Sequence, residues 1–403
     1  LSLSLSLSLS LSLPPPPPPL GQRHQTVAST DRFKNLYGNS KYFGGVGYNV
    51  GGLSLGFLVP YSADHVAILD FATNTLDTTS ITVPVGDAKW SDALLAPNGK
   101  LYFVPHSAKY VLIVDPVTRA ADWTTKTTND PTVHQWSGGV LVGENIFCVP
   151  HNANRILIIN TSDNTTSYLD TGLPPNVGLY HFGVLAADGL IYCAPQNVLH
   201  ALVINPVAMT WQTRDVGIPA DTPSSKTAGV LAHGDLLAFV PCRLHRIFWY
   251  NITSGEKYQT PSSSISAGPE DWAYYSVVQV GARGYAIPHH NSTRTVLVID
   301  MDKRTANPSG ILNTFEPEPD RSWFGGFAIS VPGRHPDDKV VVGCPWNAAS
   351  VLLIENRTAT AVMVRIPPAR WWWLGGGGGG GKEKKKKKIK KGKKKKKKKK
   401  TKT

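Results

Sequence analysis

The sequence lacks the features of a membrane protein and of a helical protein. It has no stretch of 18 consecutive apolar residues, so we expect no transmembrane segment. Stretches with the composition and period of long helices are few, while 37 Gly and 31 Pro are spread along the 403 residues. Because both residue types interrupt helices, we predict short strands joined by turns.

Motifs that indicate a reaction are missing too. The sequence has no P-loop, nucleophile elbow, dinucleotide-binding fingerprint or paired-acid signature. It also has no HExxH motif, EF-hand loop or cysteine pair at metal-ligand spacing. We therefore predict no cofactor and assign no catalytic or metal-binding residue. Enzymatic activity stays open, because scattered residues can be brought together in space.

The positive charge of the chain lies in one segment. The formal net charge is +14, but residues 382–403 alone contain 17 Lys and one Glu, which leaves 25 basic and 27 acidic residues in the rest. The rest of the chain is therefore close to neutral, and we expect no specific nucleic-acid binding by it. The Lys-rich segment, where the native protein contains it, would bind polyanions without specificity.

Both ends of the chain have low complexity. Residues 1–19 alternate Leu with Ser and end in six prolines, as a CT repeat followed by a C run would encode. The far end has three Trp, seven Gly and the Lys-rich segment. We interpret residues 1–41 as a disordered or artefactual leader and residues 367–403 as a low-complexity tail. A signal peptide is the alternative for the leader, although the leader has no positively charged n-region.

Between these ends the sequence repeats itself seven times. Each repeat has an apolar segment that ends in Pro, and the prolines are 45 to 57 residues apart: Pro60, Pro105, Pro150, Pro195, Pro241, Pro288 and Pro345. A turn rich in Gly, Asn and Asp precedes this segment, and a short apolar run such as RILIIN follows it. Four strands in a unit of roughly 40–50 residues are typical of a β-propeller. We therefore predict that residues 42–366 form an all-β, seven-bladed β-propeller with four antiparallel strands per blade.

The repeats resemble those of YVTN-type propellers. The segments HVAILDFATNTLDTTSITVPVG (65–86) and LYFVPHSAKYVLIVDPVTRA (101–120) are similar to the pattern of that type, an aliphatic strand ending in Asp before a Thr/Asn turn. Val-Pro stands here where that pattern has Thr-Asn. The resemblance implies a propeller fold. It leaves the function open, because such propellers include binding proteins, enzymes and proteins of unknown role.

Two recurring positions would meet at one mouth of the central channel of such a propeller. The position after the repeat proline carries His106, His151, His289 and Trp346. The position that opens the first strand carries aromatic residues: Trp90, Trp136, Tyr180, Trp272 and Trp323. Together they predict a binding surface that stacks on a sugar or other flat ligand, or receives a peptide segment. The alternative is that they are turn and blade-packing residues.

The histidines and cysteines do not predict a metal site or disulfides. His289 lies in the sixth repeat, across the ring from His106 and His151, so three imidazoles would not converge on one ion. The four cysteines occupy similar positions in different repeats: Cys148, Cys193, Cys242 and Cys344. This spacing predicts buried free thiols. Reduced thiols favour a cytosolic setting over a secreted one, and the compartment stays open.

Two functions fit these observations. The first is a non-enzymatic binding scaffold with a protein or carbohydrate ligand at the channel mouth. The alternative is a propeller hydrolase or lyase that acts on a small molecule in the central channel. The alternative requires a buried carboxylate or histidine cluster on one side of the channel, with perturbed pKa values. A scaffold requires a shallow aromatic surface without such a cluster.

Overall fold

The computed structural model describes residues 40–125, 133–220, 227–242, 246–260, 273–290, 295–308, 322–335, 337–348, 350–355 and 360–365. These residues form seven sheets of four antiparallel strands. The seven-bladed propeller expected from the repeats is thus confirmed. The described residues contain no helix, and so none that is long and apolar enough to cross a membrane. Residues 1–39 and 366–403 lie outside the described residues, and they include all but two residues of the predicted leader 1–41 and the whole of the predicted tail 367–403.

Each blade is a contiguous part of the chain, with its strands paired in sequence order. The first blade contains β1 (Tyr42–Tyr48), β2 (Leu55–Pro60), β3 (Ala67–Asp70) and β4 (Thr75–Asp77). The second contains β5 (Trp90–Leu95), β6 (Leu101–Pro105), β7 (Leu112–Val114) and β8 (Ala121–Asp122). The third contains β9 (Trp136–Val142), β10 (Asn145–Pro150), β11 (Arg155–Asn160) and β12 (Thr166–Asp170). The fourth contains β13 (Tyr180–Leu185), β14 (Ile191–Pro195), β15 (Ala201–Asn205) and β16 (Thr210–Arg214).

The remaining three blades repeat this arrangement. The fifth contains β17 (Thr227–His233), β18 (Leu236–Pro241), β19 (Phe248–Asn251) and β20 (Lys257–Gln259). The sixth contains β21 (Tyr274–Val280), β22 (Arg283–Pro288), β23 (Leu297–Asp300) and β24 (Thr305–Pro308). The seventh contains β25 (Trp323–Ser330), β26 (Lys339–Pro345), β27 (Ser350–Glu355) and β28 (Thr360–Arg365). The first strand of each blade contacts the first strands of its two neighbours, so these seven strands surround the central channel.

The apolar runs of the sequence pack between blades. Seven apolar clusters occur among the described residues, and each contains side chains from two adjacent blades. The second and third strands supply most of them, as β6 and β7 show, because both are buried along their whole length. Short apolar runs therefore mark strands that are covered on both faces. The four cysteines are buried, and none of them forms a disulfide.

The residue that ends the third strand shapes the following turn. The Asp70 Oδ1 atom accepts hydrogen bonds from the backbone N–H groups of Ala72 and Thr73, at 2.8 and 3.1 Å. Asn205 makes the same pair of bonds to Val207 and Ala208. Such Asx turns explain why Asp or Asn recurs at this place in the repeat.

Contacts between the first and seventh blades close the ring. The Asn49 side chain donates from Nδ2 to the Ser330 carbonyl at 2.8 Å and accepts from the Ser330 N–H at 3.1 Å. At the opposite end of β1, the Lys41 Nζ atom donates to the Ala348 carbonyl at 3.0 Å. Because each blade is contiguous, closure rests on such contacts and on the apolar cluster between these blades.

Candidate functional site

The loops after the seven repeat prolines form one surface at the channel mouth, which we call the crown. Its residues directly follow those prolines: Tyr61, His106, His151, Gln196, Cys242, His289 and Trp346. The N–H of His106 donates to the Lys89 carbonyl at 2.8 Å, and the His106 carbonyl accepts from the Gln135 N–H at 2.6 Å. Tyr61, His151, His289 and Trp346 make the same pair of bonds. These hydrogen bonds therefore fix the crown backbone to the residues just before the first strand of its own blade and of the next blade.

Every first strand carries a β-bulge at the mouth. In β5, Trp90 pairs with Pro105, but Asp92 pairs with Val104, and the same one-residue shift occurs in the other six blades. A bulge bends a strand and redirects side chains. The residues at the bulge differ from blade to blade: Gly44, Asp92, Gly138, Phe182, Gly229, Ser276 and Gly325.

Aromatic rings beside the bulges close the channel beneath the crown, and we call this group the floor. It consists of Phe43, His181, Phe182, Tyr275 and Phe324, which come from four blades. The ring centroids of Phe43 and Phe324 are 4.0 Å apart, and those of His181 and Tyr275 are 5.0 Å apart. Offset or edge-on contacts at these distances are favourable. The floor is thus a packed aromatic layer.

Two crown rings leave part of their faces open above the floor. Trp346 and Tyr61 are half-buried, with ring centroids 4.7 Å apart. Both rings also pack against Phe43, at 6.1 and 5.7 Å. An aromatic surface that is rigidly backed and partly exposed is suited to stacking on a flat ligand.

The hydrogen bonds of the histidines define their tautomers. Nδ1 lies 2.6 Å from the Trp136 carbonyl in His106, 3.2 Å from the His134 carbonyl in His151 and 3.4 Å from the Ala228 carbonyl in His181. A carbonyl only accepts, so Nδ1 carries the proton in each ring and the neutral Nε2 atom is an acceptor. In His106 that acceptor is used, because it lies 3.0 Å from Nδ1 of His134.

Burial keeps these imidazoles uncharged. It lowers the pKa of His151 to about 4 and that of His181 to about 3. Burial also lowers the pKa of His106 well below its ordinary value, and the neighbouring imidazole of His151 adds to this effect. These three imidazoles are therefore uncharged in neutral solution.

Several buried polar atoms near the mouth have no hydrogen-bond partner among the described residues. They are Oε1 of Gln196 and the hydroxyl oxygens of Ser137 and Ser276. The Gln196 Nε2 atom donates to the Tyr275 hydroxyl at 3.0 Å, which orients the amide and leaves its oxygen unsatisfied. Buried polar atoms are rarely left unpaired. An ordered water molecule is the usual partner of such buried oxygens.

One carboxylate lies beside the channel. Asp92 on β5 accepts from the Gly139 N–H at 3.1 Å through Oδ2 and from the Ala93 N–H at 2.9 Å through Oδ1. A Cβ atom built on Gly44 would lie 3.9 Å from Oδ1, so the carboxylate sits among three neighbouring first strands. Burial raises its pKa to about 7. No metal-binding group of three His, Cys, Asp or Glu side chains occurs among the described residues.

The expected aromatic residues of the first strands lie behind the mouth. Trp90, Trp136, Tyr180 and Trp323 are all buried. Trp90 and Trp136 donate from Nε1 to the carbonyls of Tyr110 and Arg155, each at 3.0 Å. Trp323 donates likewise to the Ser350 carbonyl. Trp272 lies outside the described residues, and Tyr274 opens β21 and pairs with Pro288.

The expected crown residues are brought together in part. His106 and His151 are neighbours, with ring centroids 5.7 Å apart, and Trp346 lies on the floor beside Phe324 at 4.7 Å. His289 lies on the other side of the floor, where it contacts Tyr275 and Phe324 at 5.1 Å.

Other residues of the site were not anticipated. Neither the five floor residues nor His134 and Asp92 was a candidate, whereas Gln196 follows a repeat proline and so stands at a predicted position. The position directly after the aromatic residue that opens each first strand was the available signal, since it holds Phe43, His181, Tyr275 and Phe324.

Comparisons with known structures agree with the fold. No protein-family model matches the chain, and no curated protein sequence is similar to it. Virginiamycin B lyase from Staphylococcus aureus has a similar structure, with a TM-score of 0.59, 14% identity, and coverage of 78% of this chain and 95% of that one. An extracellular domain of the putative one component system BT4673 from B. thetaiotaomicron gives a TM-score of 0.52 at 11% identity, over 80% and 41% of the two chains. Hydrazine synthase of Kuenenia stuttgartiensis gives a TM-score of 0.53 at 14% identity, with coverage of 79% of this chain and 96% of that one. At these identities the likeness concerns the propeller fold alone.

Proposed function

We propose that this protein is a non-enzymatic binding scaffold whose crown takes a neutral, hydroxyl-rich ligand such as a carbohydrate. One observation carries the proposal: the mouth combines partly exposed aromatic rings with an uncharged hydrogen-bond acceptor. Tyr61 and Trp346 supply the rings, and Nε2 of the partly exposed His151 supplies the acceptor. A sugar ring brings C–H faces that stack on aromatics and hydroxyl groups that donate.

The absence of charge at the mouth supports a neutral ligand. The imidazoles of His106, His151 and His181 are held neutral by burial, and an added charge would be costly in such surroundings. A protein loop with Ser or Thr hydroxyls would present the same donors, so the test includes that ligand class. We also propose that the repeats belong to the YVTN type, on the resemblance of residues 65–86 and 101–120.

A glycan array, followed by calorimetry with each bound oligosaccharide, tests the proposal. We expect a neutral oligosaccharide to bind, and W346A to weaken binding at least about tenfold through loss of a stacking face. W211A is the matched control, because Trp211 lies on β16 at the outside of the fourth blade. Failure of every glycan to bind would contradict the carbohydrate assignment. Equal binding by wild type and W346A would contradict the site.

An enzyme is the second candidate, and one observation favours it. The mouth is not symmetric, because His106, His134, His151 and His181 lie in three consecutive blades, and Asp92 lies in the first of these. This cluster meets the condition stated for the hydrolase or lyase and counts against a scaffold. The scaffold stays our first proposal because the hydrogen bonds of Asp92 within the described part of the chain come from the backbone N–H groups of Ala93 and Gly139, and none joins it to an imidazole. Imidazoles with pKa values of about 3 to 4 are weak bases at neutral pH, whereas a carboxyl group with a pKa of about 7 suits general acid–base catalysis.

Product analysis separates the two candidates. A ligand found by the array is incubated with the protein and followed by mass spectrometry. A scaffold returns the ligand unchanged. An enzyme converts it, and D92N then binds the ligand but stops the conversion.

A further inference from the structure

A cavity of about 720 Å³ opens outside the crown, between the first and second blades. We call it the side pocket. Its principal lining residues are Pro84, Val85, Lys89, Trp90, Tyr110 and Trp123. The volume lies within the range of roughly 300–1,000 Å³ that is typical of small-molecule sites. None of its lining residues belongs to the crown or the floor.

The walls of the side pocket are held in place by backbone hydrogen bonds. The chain after β4 continues to pair with the first blade, because Val66 donates to the Ile81 carbonyl at 3.0 Å and Val83 donates to the Asp64 carbonyl at 2.8 Å. This pairing supports the wall formed by residues 84–86. Trp90 donates from Nε1 to the Tyr110 carbonyl at 3.0 Å and so ties the opposite wall to β5. The cavity is therefore preformed.

Apolar side chains at this cavity are exposed to solvent. Val85 is 90% exposed and Tyr110 is 36% exposed, and Trp123 is half-buried beside them. Removing apolar surface from water yields about 25 cal/mol per Å². A ligand with an apolar or aromatic body would therefore gain affinity here.

The base of the pocket carries a buried ammonium group. Lys89 is 6% exposed, and its Nζ atom donates to the carbonyls of Ala63 and Gly86, both at 2.7 Å. These bonds use two of the three N–H groups of an ammonium. Carbonyl groups solvate the charge without neutralising it. Burial accordingly lowers the pKa of Lys89 to about 8, against the raising effect of Asp87 and Asp64.

The lining of the side pocket carries a small positive net charge. Lys89 and Lys109 are cationic, and Asp87 is the one carboxylate among the lining residues, all of which lie in the described part of the chain. The lining thus has a net charge of +1. Asp87 and Asp64 act on Lys89 from nearby, and an anionic group placed in the pocket would add a further countercharge at a partly desolvated site, where charge pairing is stronger than in water.

We propose that the side pocket is a second binding site, which takes a small amphiphilic molecule with an aromatic or branched apolar body and one carboxylate or similar anionic group. The body lies against Trp123, Tyr110 and Val85, and the anionic group faces Lys89. The ligand differs in charge from the neutral one proposed for the crown.

Calorimetry with 2-naphthoate and its neutral analogue 2-naphthamide tests this proposal. We expect the carboxylate to bind the wild-type protein about tenfold more tightly than the amide, which corresponds to one charge-assisted contact. K89M removes this preference. K41M is the matched control, because Lys41 precedes the first strand of its own blade and also donates to a backbone carbonyl, that of Ala348. Retention of the preference in K89M, or its loss in K41M, would overturn the proposal.

A surface variant keeps the test decisive if K89M does not fold. V85E adds a negative charge to a side chain that is almost fully exposed, so it leaves the fold intact and repels the carboxylate at the pocket entrance. V207E is its control, since Val207 is 88% exposed on the fourth blade. We expect V85E to weaken naphthoate binding at least about fivefold more than it weakens naphthamide binding, because both ligands lose the apolar contact and only the carboxylate is repelled; V207E should change neither. Equal binding of naphthoate by V85E and V207E would contradict the site.

Discussion

Asp92 is the residue at which burial and charge conflict most clearly. Its carboxylate accepts two backbone N–H groups, and the described residues give it no cationic partner within salt-bridge distance. Burial raises its pKa to about 7, above the value near 3.9 of an unfolded chain. A raised pKa means that the native state loses stability as the pH rises towards 7.

Asp92→Asn is therefore expected to stabilise the protein more at high pH than at low pH. The amide oxygen keeps an acceptor for the Gly139 N–H and removes the charge. We expect the advantage of D92N in unfolding free energy to grow by about 1–2 kcal/mol between pH 5 and pH 8, discounted because the side chain is partly exposed. Urea unfolding at the two pH values measures it.

A half-buried aspartate at the end of β4 provides the control for this experiment. Burial is the largest single effect on the pKa of Asp77 and raises it, but the hydrogen bonds from Ser80 and Thr79 together bring that pKa below its ordinary value. D77N should lower stability equally at pH 5 and pH 8, because this carboxyl is ionised at both. Parallel pH profiles for D92N and wild type would refute a raised pKa at Asp92.

At the residue scale the sequence predicted which residues occupy equivalent positions in the blades better than it predicted which side chains face the channel. The crown followed from the repeat proline, and His106, His151 and Trp346 do lie at the mouth. The aromatic residue that opens the first strand was assigned to the same surface, yet Trp90 and Trp136 are buried and bond to the third strand of their own blade. Periodicity marks equivalent positions, but it does not tell which face of a strand meets the channel once a bulge shifts the register.

The bulges are the elements that shape the mouth, and Gly138 tests their packing. Gly138 has φ +88°, and a Cβ atom there would lie 2.5 Å from Cδ1 of Phe182. Gly99 has a similar φ of +80° in an open turn, with nothing within 4 Å. Both Gly→Ala changes incur the cost of a left-handed backbone, but only G138A adds a collision. We expect G138A to lose about 1–3 kcal/mol more than G99A in chemical denaturation.

The collision partner allows a double-mutant check. Phe182 itself has φ +55°, at the position that holds Gly in four other blades. In an F182A background the excess cost of G138A over G99A should fall, because the ring that blocks the Cβ atom is gone. An unchanged excess would show that the backbone, and not Phe182, limits the bulge.

At the scale of elements the sequence was most informative where one physical cause dominates. Apolar runs identified the third strands because both faces are covered, and the Asp or Asn after them identified the turns. The bulges left no such pattern, since their residues range from Gly to Asp and Phe. Their geometry arises from pairing with the second strand and from packing across the channel, which involve residues far apart in the chain.

Across the whole molecule, seven interblade cores and a ring closed by noncovalent contacts make stability a collective property. The net charge of +14 has little bearing on this ring, because the whole positive excess lies in residues 382–403. The buried histidines at its centre matter more. They connect three consecutive blades, and each must remain neutral for the mouth to stay packed.

Acidification is expected to destabilise the ring through His106, His151 and His181. Burial lowers the pKa of all three, so between pH 6.5 and pH 4 the unfolded chain binds protons that the native state does not. Lowering the pH from 7 to 5 then costs about 2 kcal/mol for each of His151 and His181, and His106 adds to this loss in the same direction. Asp92 offsets part of the sum because burial raises its pKa. Urea unfolding across this range should show that the unfolding free energy decreases as the pH is lowered. The decrease should be smaller in H151Q than in wild type. H200Q, at an exposed site, is the control and should give the same pH profile as wild type. A wild-type unfolding free energy that does not change with pH would mean that the histidines accept protons in the folded ring.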